Sequence, residues 1–248
     1  MRNFIKKIIP LHQKEAIKKL MRQALGIEAA GLSFSTCGED RILKYLFLNK
    51  KKGFYVDVGA FYPIAASNTY LFYLMEWQGI NIDAFPGSMK LFDQIRPNDI
   101  NLEFAVSDSE DFSPYYQIGD GHSSMNSFSR EFHQYFEVPQ SQIKEVPIKT
   151  YPLSKILDNY MPSGKKIDFM LIDAEGFELK ILKSNDWKKY RPTIVMAECH
   201  RPLSDEIFQH EITLFMNSIN YRIISKTPNE MFFLEKGVSL DKTGCISN

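Results

Sequence analysis

Phe54-Tyr55-Val56-Asp57-Val58-Gly59-Ala60 is the stretch on which the fold turns. A short apolar run, entered through Gly53 and closed by Asp57, Gly59 and Ala60, reads as a strand buried inside a parallel sheet. Gly59 permits a sharp turn and a close backbone approach, and a following helix would offer free amide groups at its start. A nucleotide-like ligand fits such a place. Taken alone the signal is weak, because only Gly59 of the glycine-rich dinucleotide fingerprint is present, followed by Ala60, Phe61, Tyr62 and Pro63. Support comes from Asp83, 26 residues beyond Asp57. It ends the next predicted strand, near the place where a carboxylate takes ribose hydroxyls in dinucleotide folds.

Working outward, Ser67 is a predicted N-cap for a helix with Tyr70, Leu71, Leu74 and Met75 on its apolar face, and Gly79 sits where a C-cap is expected. Residues 80–84 read as a strand, 88–95 as a helix and 102–106 as a strand, which completes a βαβαβ series. Upstream, Ile42, Leu43, Leu46 and Phe47 recur at helical spacing over residues 38–48. Residues 109–150 are less regular, and such an insertion typically carries specificity. The pattern resumes with a helix at 153–160, a strand at 167–172, a helix at 175–182, a strand at 193–197 and a helix at 204–219. Strands at 221–225 and 231–234, joined by Thr227-Pro228-Asn229, make an antiparallel pair. The alternation predicts an α/β, doubly wound and mostly parallel sheet with its ligand site at the strands' carboxyl ends.

The 248 residues include 30 Lys plus Arg and 30 Asp plus Glu, so no global basic field recruits nucleic acid. No apolar run approaches the roughly 18 residues of a spanning helix, and Lys6, Lys7 and Pro10 interrupt any leader-like block. A cytoplasmic location is expected. Cys37, Cys199 and Cys245 are too few and too scattered for a disulfide framework or a zinc cluster. Residues 1–30 are basic and amphipathic, with Arg2, Lys6, Lys7, Lys14, Lys18, Lys19 and Arg22 against Glu15. This segment suits peripheral contact with an anionic membrane face, although a helix packing its apolar stripe on the domain is the favoured reading.

The motifs in order resemble the FkbM-like family of S-adenosylmethionine-dependent methyltransferases. The blocks are Gly38-Glu39-Asp40, Val56-Asp57-Val58-Gly59-Ala60 with Ser67-Asn68-Thr69, Trp77-Gln78-Gly79-Ile80-Asn81-Ile82-Asp83, Ala105-Val106-Ser107-Asp108, and Ile167-Asp168-Phe169-Met170-Leu171-Ile172-Asp173-Ala174-Glu175-Gly176-Phe177-Glu178. Departures stand at Leu171, where a Lys is common, at Ala174, and at Ala84-Phe85-Pro86. The resemblance implies a Rossmann-like class I methyltransferase fold over residues 31–248. It implies that Asp57, Gly59 and Ala60 border the methionine part of S-adenosylmethionine, that Asp83 binds the ribose, and that Asp108 sits near the adenine. Glu39, Asn68 and Asp173 join the cofactor set. It also implies O-methylation of a sugar hydroxyl in lipopolysaccharide, capsule or another surface glycan. A small-molecule methyltransferase and a non-catalytic nucleotide-binding scaffold are the alternatives.

Asp173 and Glu175 follow the fourth predicted strand on the ligand rim, and either can act as a base, although Glu175 also suits a first-turn helix acid. Glu198-Cys199-His200 ends the next strand, and His200 titrates near neutrality. We count Asp173, Glu175 and His200 as catalytic candidates and Glu198 as an acceptor contact. A divalent metal on Asp173, Glu198 and His200 ranks below general-base chemistry because no spacing motif demands it. His122, Ser123, Ser124 and Asn126, beside Tyr115, Tyr116, Phe128 and Phe132, form the expected glycan-binding cluster.

Overall fold

In chain order the elements are α1 (Glu39–Leu46), β1 (Phe54–Val58), α2 (Tyr70–Leu74), β2 (Gln78–Asp83), α3 (Met89–Ile95), β3 (Ile100–Glu103) and β4 (Ala105–Ser107). There follow β5 (Phe112–Ile118), α4 (Arg130–Tyr135), β6 (Ile143–Pro152), α5 (Leu153–Tyr160), β7 (Phe169–Ile172) and α6 (Glu178–Ser184). The chain closes with β8 (Ile194–Glu198), α7 (Glu211–Ser218), β9 (Tyr221–Lys226) and β10 (Glu230–Glu235). This computed structural model describes residues 31–119, 121, 123–200 and 205–247. The helix expected over residues 1–30, its membrane contact, and His122 lie outside the described residues. Met1–Ser33 is a separate unit from Phe34–Asn248, and the fold below belongs to the second.

A seven-stranded sheet runs in the order β3-β2-β1-β7-β8-β10-β9. β1 pairs in parallel with β2 and β7, β2 with β3, and β7 with β8, while β10 is antiparallel to both β8 and β9. Strand order reverses between β1 and β7, which opens a crevice at their carboxyl ends. The central strands β1, β7 and β8 are buried along their whole length and largely apolar because both faces are covered. On β1, Phe54, Val56 and Val58 face one core with Leu153, Ile156, Ile181 and Met216, whereas Tyr55 faces the other with Leu43, Phe72 and Trp77. Each large apolar side chain so buried contributes about 1.5–3 kcal/mol.

Four expectations on local structure change. Gly79 does not cap α2 but lies in β2, where a Cβ would stand 2.1 Å from the Tyr55 ring, so close packing requires the glycine. The single strand expected at 102–106 breaks at Phe104 into β3 and β4. The second piece leaves the large sheet and pairs with β6. The irregular insertion contains the antiparallel pair β5 and β6, which with β4 forms a second sheet in the order β4-β6-β5. Finally, α6 starts at Glu178 rather than Glu175, because Glu175 (φ +53°) and Gly176 (φ +91°) are left-handed and belong to a loop. Glu175 is therefore not a first-turn helix acid.

Candidate active site

A cleft of about 310 Å³ opens at the carboxyl ends of β1, β2, β7 and β8. Its size is that of a small-molecule site. Gly59 (φ +85°) marks its floor, and a Cβ there would stand 1.6 Å from the Asp173 carbonyl oxygen. Only glycine allows β1 to end so close to the end of β7. The backbone amides of Gly59 and Ala60 both donate to the Ile82 carbonyl, at 2.9 and 3.1 Å. No helix follows at once, since α2 begins only at Tyr70.

One wall is built by β1, β2 and the segment before α2. Asp57 is 2% exposed; its Oδ2 accepts from Thr69 Oγ1 at 2.6 Å, and its Oδ1 has no hydrogen-bond partner. Behind it the fully buried Arg96 donates to Ser67 Oγ, Thr69 Oγ1 and Asn81 Oδ1 at 2.9–3.1 Å. Burial pushes the Asp57 carboxyl up to about 6, with the Thr69 bond and the Arg96 charge opposing. Asn68, also buried, lines the cleft with its Oδ1 unpartnered. Asp83 accepts from the Phe61 amide through Oδ2 at 2.9 Å and from the Phe85 amide through Oδ1 at 2.8 Å, which fixes its orientation.

The opposite rim follows β7 and β8. Glu178 Oε1 accepts from the Ala174 and Gly176 amides, each at 3.0 Å, and Glu198 Oε2 accepts from the Glu175 amide at 3.1 Å. The Ser127 hydroxyl of the insertion donates to the Glu175 carbonyl at 2.6 Å. His200 Nε2 lies 2.6 Å from Glu198 Oε1 and 3.7 Å from Glu175 Oε2. These are charge contacts without hydrogen-bond geometry, for the nitrogen has no hydrogen-bond partner. Burial pushes Glu175 and Glu198 each up to about 7. Burial and then the Glu198 charge hold Asp173 well above the carboxylate range. Glu175 and Glu198 in turn raise His200 to about 10, so the ring is an imidazolium at neutral pH.

The fold brings Asp57, Gly59, Ala60, Asn68, Asp83, Asp173, Glu175, Glu198 and His200 into this one cleft, together with Ser123, Ser124 and Asn126 from the insertion. Asn126 is bound within its own loop, accepting from the Ile118 amide at 2.9 Å and donating to the Gly121 carbonyl at 2.7 Å. Two candidates stand elsewhere. Glu39 is buried outside the lining, where it accepts from the Cys37 amide and the Thr227 hydroxyl. Asp108 is exposed and lines a second cleft of about 810 Å³, because β4 has turned away from the large sheet. Phe85, Phe104 and Val106 supply the apolar surface near Asp83 that sequence reasoning did not single out. An apolar residue just past a strand end is indistinguishable from core in a sequence.

The second cleft is lined by Phe128, Phe132, Tyr135 and Phe136 and meets the first at Phe128, Glu198 and His200. The Phe136 and Phe132 rings lie 5.1 and 6.2 Å from the His200 ring. Among the described residues, no helix is long and apolar enough to cross a membrane.

Among curated proteins, none matches the chain. The profile of the methyltransferase FkbM domain matches residues 57–223, which run from the Asp57 floor of the cleft through both carboxylate walls into β9. The match spans the strand ends and the carboxylates that line the cleft, and the chain belongs to the FkbM methyltransferase family.

Proposed function

We propose that the chain transfers a methyl group from S-adenosylmethionine to a sugar hydroxyl, in the assembly of a surface polysaccharide such as lipopolysaccharide or capsule, on a Rossmann-like class I methyltransferase fold. The observation that carries the cofactor reading is the charge of the first cleft. Asp57, Asp83, Asp173, Glu175 and Glu198 line it with one imidazole and, among the described residues, no Lys or Arg. A pyrophosphate finds no lysine or arginine in the lining and no free amide at Gly59 or Ala60, so a nicotinamide dinucleotide fits poorly. A cationic nucleoside fits well.

S-adenosylmethionine supplies a methyl group already activated by a sulfonium charge. Asp83 is oriented to take ribose hydroxyls, and Phe85, Phe104 and Val106 offer apolar surface to the base. The unpartnered Oδ1 atoms of Asp57 and Asn68 accept from the amino end. The acceptor enters through the aromatic cleft, where ring faces pack the apolar C–H face of a sugar, and reaches the first cleft, where Ser123 and Ser124 of the insertion meet its hydroxyls. His200, already protonated, is the counter-charge. Glu175, at about 7, is the group able to take the acceptor's proton. The walls align the acceptor oxygen and exclude water.

Calorimetry tests the cofactor half: S-adenosylhomocysteine binds saturably and NAD does not. The reverse result rejects the reading. Mass spectrometry of a glycan acceptor for one added methyl group then separates an enzyme of this class from a scaffold.

A further inference from the structure

Glu175, Glu198 and His200 each bring one donor atom to a common point, all three atoms lying within 4.8 Å of one another. Glu198 is 5% exposed, and the His200 Nε2 that faces it is buried without a hydrogen bond despite its 2.6 Å approach. A nitrogen so close to two carboxylates yet misdirected for either is placed for a partner held jointly by all three. We propose that these side chains form a binding site for a divalent cation of the Mn²⁺ type, on the partition between the two clefts.

The spacing agrees. A six-coordinate ion with donors at about 2.1–2.2 Å holds neighbouring donor atoms about 3 Å apart and opposite ones about 4.3 Å apart. The distances from His200 Nε2, 2.6 Å to Glu198 and 3.7 Å to Glu175, reach those values by small side-chain rotations. The donor set agrees as well. Two carboxylates and one imidazole, its Nε2 proton released to solvent as the ion binds, suit Mn²⁺ or Mg²⁺, and the nearby soft ligand is turned away, since the Cys199 sulfur faces His210 Nε2 at 3.8 Å. Surrounding groups hold the donors in place. Glu198 grips the Glu175 amide, Ser127 grips the Glu175 carbonyl, and the Phe132 and Phe136 rings flank the imidazole.

Five carboxylates face one imidazole in the first cleft, so a doubly charged ion lessens a repulsion that no lysine or arginine of the lining relieves. Its remaining coordination positions face the aromatic cleft, where they can hold an acceptor oxygen and favour loss of its proton. That role, unlike the binding itself, rests on the methyl-transfer reading.

The test uses the full chain stripped with a chelator and titrated with Mn²⁺ alone, free ion being read by electron paramagnetic resonance. Wild type should saturate at one ion per chain. His200→Ala and Glu175→Gln should each weaken binding at least tenfold with circular dichroism and melting temperature unchanged, and Glu145→Gln on β6 should bind as wild type does. Absence of saturable binding at concentrations up to about 1 mM, the weakest range of protein cation sites, overturns the proposal. So does binding that survives both variants. Calorimetry with S-adenosylhomocysteine on the same sample keeps the two readings apart: lost nucleoside binding with intact Mn²⁺ binding counts against the cofactor reading, and the converse against the ion.

Discussion

Asp57 and Asp83 on one wall of the cleft, and Asp173, Glu175 and Glu198 on the other, are all carboxylates at or just beyond strand ends, yet they are held by different means. The first pair meets neutral donors: the Thr69 hydroxyl on Asp57 and the Phe61 and Phe85 amides on Asp83. The buried guanidinium of Arg96 organises the hydroxyls and amide behind them. The second group crowds acid upon acid around one imidazole, on a loop with two successive left-handed residues. The difference separates two tasks. A wall of carboxylates fixed by neutral donors positions a ligand, whereas a rim that crowds acids around one imidazole is suited to moving a proton or holding a cation.

The largest expected effect breaks the comparison most directly. Glu175→Gln, which removes the base, should lower turnover by about 10²- to 10⁴-fold while the affinity for S-adenosylhomocysteine stays near wild type. Steady-state kinetics beside calorimetry measure both, and an equal loss in affinity and turnover would erase the distinction between the walls. Asp83→Ala should do the opposite. It weakens S-adenosylhomocysteine binding by about 10- to 150-fold, the worth of a charged hydrogen bond of about 1.5–3 kcal/mol, with turnover at saturating cofactor largely kept. Unchanged affinity in that variant rejects the ribose assignment.

The smallest effect is a pH dependence carried by Asp57. Its folded value of about 6 lies above the ordinary 3.8, so the folded state binds this proton more tightly than the unfolded chain does. The stability it contributes, about 3 kcal/mol, is fully present below pH 3.8 and is lost as pH rises through 6. A cation beside the ionised carboxylate recovers part of that loss. The preference for S-adenosylmethionine over its neutral thioether product should therefore rise several-fold between pH 5 and pH 7 in wild type and stay flat between pH 5 and pH 6 in Asp57→Asn. A flat wild-type ratio in paired titrations would place the sulfonium away from Asp57.

Much of the scaffold was legible because burial leaves a direct trace. β1 falls on the predicted residues, and β2, β7, β8 and β10 lie within a few residues of the expected runs, since strands covered on both faces must be apolar. The rim was legible in part. Asp173, Glu198 and His200 follow strand ends, and a parallel sheet carries those ends to one edge. The parts missed have physical causes. Gly79 carries the same letter whether it caps a helix or admits the Tyr55 ring. Phe104 does not announce that the chain leaves one sheet for another there, and so Asp108 was expected in a cleft that it does not line. β5 and β6 alternate weakly, with Lys144, Glu145 and Lys149 exposed along one strand, so their pairing left little hydrophobic signal.

By itself the sequence determined the alternating strands and helices on either side of the insertion, a ligand rim at the strands' carboxyl ends, and the carboxylates that follow the strands, because periodicity and turn chemistry are local and parallel crossovers have one hand. Only the tertiary structure decided how those carboxylates are used. The Gly59 and Ala60 amides are taken by Ile82, the Asp173 carbonyl occupies the space a Cβ on Gly59 would need, and the insertion reaches over to hold the Glu175 carbonyl and flank His200. These are contacts between segments far apart in the chain. Their hydrogen bonds, desolvation and charge repulsion depend on separations in space, which residue spacing along the chain does not encode.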